Sequence, residues 1–136
     1  MSSTTTSVRR SVDLAASPRE VWAVVGDFQA LDAWHPAIAA SRREAAGDLE
    51  YRHLTTTDGA EITEQLLEQG PHHYRYRINS GPLPVEHYEA RVEVDSRDGG
   101  SRVIWSSSFT PTAPNAEEVI AGIYEAGLDA LKARFG

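Results

Sequence analysis

Glu64 is the side chain in this sequence whose type and position most invite chemistry. It lies in "EITEQLLE" (61–68), a stretch that alternates as a β-strand does. Ile62, Glu64 and Leu66 point one way, and Thr63, Gln65 and Leu67 the other. The first face is the more apolar and is expected to be buried, with a carboxylate in its middle. A carboxylate on an apolar wall is costly unless paired, hydrated or protonated. A cavity holding water and a ligand relieves that cost, and desolvation there moves the group toward general acid–base work. Pairing with an arginine, such as Arg52 on the preceding strand, relieves it structurally. A one-residue register slip puts Glu64 in solvent. In the cavity arrangement, Glu64→Gln keeps the shape and the fold while weakening binding or turnover.

The same alternation supplies its neighbours. Tyr74, Tyr76 and Ile78 share a face opposite His73, Arg75 and Arg77. Glu86, Tyr88, Ala90, Val92 and Val94 share another, as do Val103, Trp105, Ser107 and Phe109. With Ile62, Glu64 and Leu66 these form an apolar, aromatic lining with a few polar groups, the composition of a small-molecule pocket. Tyr88 offers the hydroxyl best placed to orient a ligand, with Tyr74 and Tyr76 next. The alternative is ordinary core tyrosines whose hydroxyls are satisfied by backbone. Trp22 and Trp105 are read first as core.

Other chemistries find no support. Five histidines are present, but His72 and His73 point to opposite faces and no H-x-x-x-H occurs, so no metal site is expected. There is no G-x-S-x-G elbow and no phosphate loop. "HHYRYR" looks basic and aromatic, yet a strand separates its arginines and tyrosines onto opposite faces.

The elements that must hold these residues follow in order. Val8, Arg10, Val12 and Leu14 mark a first strand after a polar tail over 1–7. "SPRE" follows, with Ser17 as N-cap, Pro18 in the first turn and Glu20 completing a capping box. Val21, Val24, Val25 and Phe28 make a short helix, and "QALDAWHP" allows another helical turn closed by Pro36. Extended segments come next, near 37–45, 49–57, 60–69, 72–79, 85–96 and 101–110. Gly-, Asp- and Pro-bearing turns separate them, Asp58-Gly59 being a strong hairpin signal. The period then changes. Asn115 is a plausible N-cap, and Ile120, Ile123, Tyr124, Leu128, Leu131 and Phe135 form the stripe of a helix roughly 30 Å long. The economical α+β arrangement is one antiparallel sheet of about seven strands curled around that C-terminal helix.

At 136 residues the chain is one domain's worth, expected to span 8–136. A net charge of -7 argues against sequence-independent nucleic-acid binding and against anionic membranes. There is no cysteine, hence no disulfide and no thiolate chemistry. The N-terminus lacks an apolar signal region and no run reaches membrane-spanning length, so a cytoplasmic location is expected.

From Val8 to Phe135 the sequence resembles the START-like polyketide cyclase and lipid-transport superfamily (SRPBCC). The stretches that carry the resemblance are "SVDLAASPREVWAVVGDFQALDAWHP", "DGAEITEQLLE", "HYRYRINSGPLPVEHYEARVEV", "GGSRVIWSSSFTP" and "AGLDALKARF". The resemblance implies a helix-grip fold with a cavity whose mouth is edged by the loops "TTDGA" (56–60) and "SGPLP" (80–84). It also places His35 at the cavity, the alternative being a helix-end histidine packed beside Trp34. The gate and latch residues of the abscisic-acid-receptor branch are missing from these loops, so hormone sensing is not carried over. The expected catalytic set is then Glu64, His35 and Tyr88. Ligand contacts are expected from Trp34, Ile62, Leu66, Tyr74, Tyr76, Glu86, Trp105, Ser107 and Tyr124. No cofactor is implied, and the chain is expected to be a monomer or homodimer. Three functions compete: a cofactor-independent cyclase or dehydratase, a carrier of an apolar metabolite or lipid, and an interaction module with an exposed apolar patch.

Overall fold

The computed structural model of the protein describes residues 4–136. Strand β1 spans Thr6–Leu14 and is followed by helix α1 (Pro18–Val25) and two 3-10 turns (Phe28–Ala33) joined at a kink at Ala30. Strands β2 (Ile38–Ala46), β3 (Leu49–Thr56), β4 (Glu61–Gln69), β5 (His73–Ser80), β6 (Val85–Arg97) and β7 (Gly100–Pro111) come next, then helix α2 (Ala116–Phe135). The strands lie within about two residues of the expected segments, because their ends are set by local turn chemistry. One expectation shortens: Thr6 and Ser7, assigned to a tail over 1–7, pair with Phe109 and Ser108. Met1, Ser2 and Ser3 of that tail lie outside the described residues.

All seven strands form one antiparallel sheet in the order β1-β7-β6-β5-β4-β3-β2. The chain leaves the β1 edge, crosses to the opposite edge through α1 and the 3-10 turns, and returns strand by strand. Helix α2 packs on β1 and β7, while the 3-10 turns pack on β2 and β3. His35, just after those turns, hydrogen bonds to Ile123 of α2. Both edges of the sheet are thus drawn to one helix, which requires the sheet to curl. Irregular pairing in β2–β3, β4–β5 and β6–β7 supplies bends of the kind that bulges produce.

Local sequence explains the helix ends. The Ser17 hydroxyl accepts from the Glu20 amide at 3.2 Å, which caps the helix. The Glu20 carboxylate accepts from the Ser17 hydroxyl instead of from the Ser17 amide that a full capping box would use. Asn115 does sit at the start of α2, but its side chain makes no capping hydrogen bond. The inner stripe of α2 buries Ile120, Tyr124, Leu128 and Leu131 against the sheet. Gly127 marks its closest approach: a Cβ there would stand 2.8 Å from His35 and 3.0 Å from both Trp34 and Trp105.

Candidate functional site

Strands β3 and β4 place Arg52 directly opposite Glu64, so both side chains leave the same face of the sheet. Arg52 Nε donates to Glu64 Oε1 at 2.7 Å, and Nη2 stands 2.7 Å from the same oxygen. Arg52 Nη1 donates to the Phe28 carbonyl at 2.8 Å, and the Tyr74 hydroxyl lies 3.5 Å away. The guanidinium sits over the Phe28 ring at 4.1 Å and the Tyr76 ring at 4.8 Å, so aromatic faces enclose the cation. It is wholly buried, and Glu64 is 5% exposed. Burial pushes the Glu64 carboxyl above its ordinary range, and Arg52 pulls it back. An arginine does not release its proton in such surroundings, and its two N–H groups at 2.7 Å from Oε1 favour the ionised carboxylate. Glu64 uses one oxygen for this pair. No protein hydrogen bond reaches Oε2 among the described residues, and Glu64 lines the internal cavity. Glu64 is thus paired with Arg52 and at the same time part of the cavity wall.

A second buried network begins at Trp105. Its Nε1 donates to the Tyr76 hydroxyl at 3.0 Å, which lies 3.3 Å from the Tyr88 hydroxyl. Tyr88 is in turn hydrogen bonded to Tyr124. The Trp105 and Tyr124 rings stack with centroids 4.4 Å apart, so the two ends of the chain meet. Burial holds the Tyr76, Tyr88 and Tyr124 hydroxyls above their ordinary value, so they stay protonated. Either member of each hydroxyl pair can donate. Running from Tyr124 toward Tyr76, the chain leaves the Tyr76 proton free for an acceptor in the cavity.

His35 has a different task. Its Nε2 lies 2.8 Å from the Ile123 carbonyl, and its Nδ1 accepts from the Ala37 amide at 3.1 Å. That pattern requires the neutral imidazole with its proton on Nε2. Burial holds His35 below its ordinary value; the Ile123 carbonyl opposes this and the Arg52 charge adds to it. With both nitrogens engaged by main chain, His35 ties the segment after the 3-10 turns to α2. Proton exchange with a ligand would break one of these main-chain bonds.

Between the sheet and α2 lies a cavity of about 170 Å³. Glu64, Tyr76, Tyr88, Ile62, Trp105 and His35 line it, and every other wall residue but Thr56 and Asp58 is apolar. Both expected mouth loops contribute: Thr56, Asp58 and Ala60 from one, Pro82 and Leu83 from the other. The Asp58–Gly59 turn is closed by hydrogen bonds of Thr56 and Asp58, with Gly59 at φ 90°. The Thr56 hydroxyl holds the Asp58 carboxyl below its usual range.

Six expected ligand contacts lie elsewhere. Glu86 is exposed, because the β6–β7 pairing is irregular between Glu86 and Glu89, with His87 at φ 53°, and the alternation is broken there. Tyr74 belongs to the Arg52 enclosure, and Leu66 is half-buried outside the cavity wall. Trp34 packs against Trp105 and Gly127. Tyr124 stands behind Tyr88, and Ser107 is buried without lining the cavity. Conversely, Leu31 and Leu54 line the cavity unannounced. Leu54 had a readable signal: it lies two residues from Arg52 on the same face and directly opposite Ile62.

The profile of a family described as polyketide cyclase / dehydrase and lipid transport matches residues 5–136. The solved structure of the protein XoxI from Bacillus cereus is 33% identical, with a TM-score of 0.89 over 96% of this chain and 95% of that one. A protein from Thermobifida fusca is 30% identical, with a TM-score of 0.83 over 96% and 93% of the two chains. The Zhui aromatase/cyclase from a Streptomyces species shares the fold at 17% identity, with a TM-score of 0.77 over 96% and 93%. Among curated proteins no sequence match was found.

Proposed function

The chain belongs to the polyketide cyclase / dehydrase and lipid transport family, and from that premise we propose that it binds a small hydrophobic molecule in its internal cavity. The observation that carries this reading is the cavity of about 170 Å³ between sheet and helix, apolar but for a few convergent polar groups. Its size is close to that of a one-ring ligand, since an apolar cavity of roughly 150 Å³ takes up benzene. An interaction module fits less well. Among the described residues, Leu49 is the one large hydrophobic side chain that is exposed, and a docking patch needs several together.

A second reading rests on one feature, the uncommitted Oε2 of Glu64. A buried carboxylate with one oxygen fixed by Arg52 and the other open to the cavity can take a proton from a bound molecule. That is the step a cofactor-independent cyclization or dehydration would ask of it. Tyr88 would orient the ligand, and the enclosing walls would hold its reacting ends together. Both readings meet one experiment. The protein is incubated with a metabolite extract, and bound compounds are identified by mass spectrometry before and after release. The control is Ile62→Phe, which fills the cavity. Compounds retained by the wild type and lost by the variant support binding. Return of the same compounds unchanged favours a carrier, and chemically altered products favour catalysis. Equal retention by both proteins refutes the cavity as the site.

A further inference from the structure

Resting on the reading of the cavity as a binding site, we propose that its ligand is an uncharged apolar molecule that presents a hydroxyl group to Glu64 Oε2. Three features of the wall lead there. While ionised Glu64 can only accept, so its free oxygen asks for a donor. Arg52, the cation that balances it, does not reach the cavity surface, because Phe28, Tyr76 and Glu64 itself enclose it. No lysine or arginine lines the cavity, while Asp58 stands at its mouth, so an anionic ligand meets like charge and no counter-ion. A cationic ligand fares little better, since Arg52 already neutralises Glu64 and a third buried charge has no partner.

The donor should also accept. Tyr76 and Glu64 are diagonal neighbours on one face of β4 and β5, since Leu66 lies opposite Tyr76 and Glu64 opposite Ile78. Both line the cavity. When the tyrosine chain runs from Tyr124 toward Tyr76, the Tyr76 hydroxyl needs an acceptor. A ligand hydroxyl that donates to Glu64 Oε2 and accepts from Tyr76 completes both networks at once. A ketone lacks the donor, and an ether lacks it too.

The test compares probes of one shape on the wild-type chain: toluene, 4-methylphenol, 4-methylanisole, 4-methylbenzoate and 4-methylbenzylammonium. Affinities are read by calorimetry, with chemical shifts of the cavity residues locating each probe. A hydrogen bond to a charged group predicts 4-methylphenol binding at least about tenfold more tightly than toluene and 4-methylanisole, with both ions weaker than the phenol. In the Arg52→Met/Glu64→Leu double variant the phenol's advantage over 4-methylanisole, which can still accept from Tyr76 but cannot donate, should vanish. Methylanisole or either ion matching the phenol, or an advantage that survives the double variant, overturns the proposal while leaving the cavity as a binding site. If none of the five binds, the reading of the cavity itself falls and the proposal with it.

Discussion

Removing Glu64 should cost far more than removing Glu64 and Arg52 together. Arg52 is wholly buried, with Phe28, Tyr74 and Tyr76 around it, and its only carboxylate partner among the described residues is Glu64 at 2.7 Å. At an effective dielectric of about 20, two unit charges roughly 4 Å apart attract by about 4 kcal/mol. Breaking a buried pair from one side costs about 3–5 kcal/mol, because the remaining ion keeps its desolvation penalty without compensation. Glu64→Leu should lose an amount in that range, against a total stability of roughly 5–15 kcal/mol. Glu64→Gln therefore does not merely remove a charge from the cavity; it strands Arg52, so the fold should lose stability with it. The reverse change is milder. In Arg52→Met the carboxyl, raised further by burial with no cation opposing, can take a proton and become neutral. Its folded pKa then exceeds its unfolded value, so stability is fully present at acid pH and falls as pH rises through the folded pKa. Arg52→Met should thus be less stable at pH 8 than at pH 5. Replacing both residues by apolar ones of similar volume should return the protein to within about 1 kcal/mol of wild type. Urea unfolding of the four proteins measures the cycle. With a slope of about 2 kcal/mol/M, Glu64→Leu should lower the midpoint by roughly 1.5–2.5 M. A loss under about 1 kcal/mol for Glu64→Leu, or a double variant as unstable as that single, would refute the account of Arg52 as a cation dependent on Glu64.

Other residues give sharper local expectations. Tyr88→Phe removes the hydroxyl between Tyr76 and Tyr124 and should cost about 1–3 kcal/mol in urea unfolding, since two buried hydroxyls lose a partner; no change would mean they re-pair without it. Gly127→Ala should destabilise despite a helix-propensity gain of about 1 kcal/mol, because the new methyl meets His35, Trp34 and Trp105 at 3.0 Å or less and overpacking costs about 1–3 kcal/mol. A higher melting temperature would contradict that. For His35 the folded pKa is depressed, so the unfolded chain binds the proton first on acidification. Stability should therefore decline as pH falls from about 6.5 toward the folded value, and His35→Gln should remove that part of the slope in unfolding curves taken between pH 5 and 7.5.

Much of this protein is written in short-range pattern. Alternation around Ile62, Tyr76, Val92 and Trp105, turns at Asp58-Gly59, and the stripe from Ile120 to Leu131 determine strands, hairpins and helix without reference to distant residues. They also determine which face Glu64 takes, because a side-chain period of two leaves only two choices. What the pattern omits is what stands opposite. That Arg52 meets Glu64 depends on the β3–β4 register, and that it claims only one carboxylate oxygen depends on Phe28 arriving from a different element. His35 is silent in sequence about its partners, since Ile123 is brought to it by the crossing of the chain from one sheet edge to the other. Glu86 obeys the alternation until the irregularity at His87 turns it outward, and that irregularity is fixed by how β6 and β7 pair. Local periodicity sets direction; register, bulges and the approach of α2 are long-range packing solutions, and they alone decide which inward residues reach the cavity and which are sealed behind its wall.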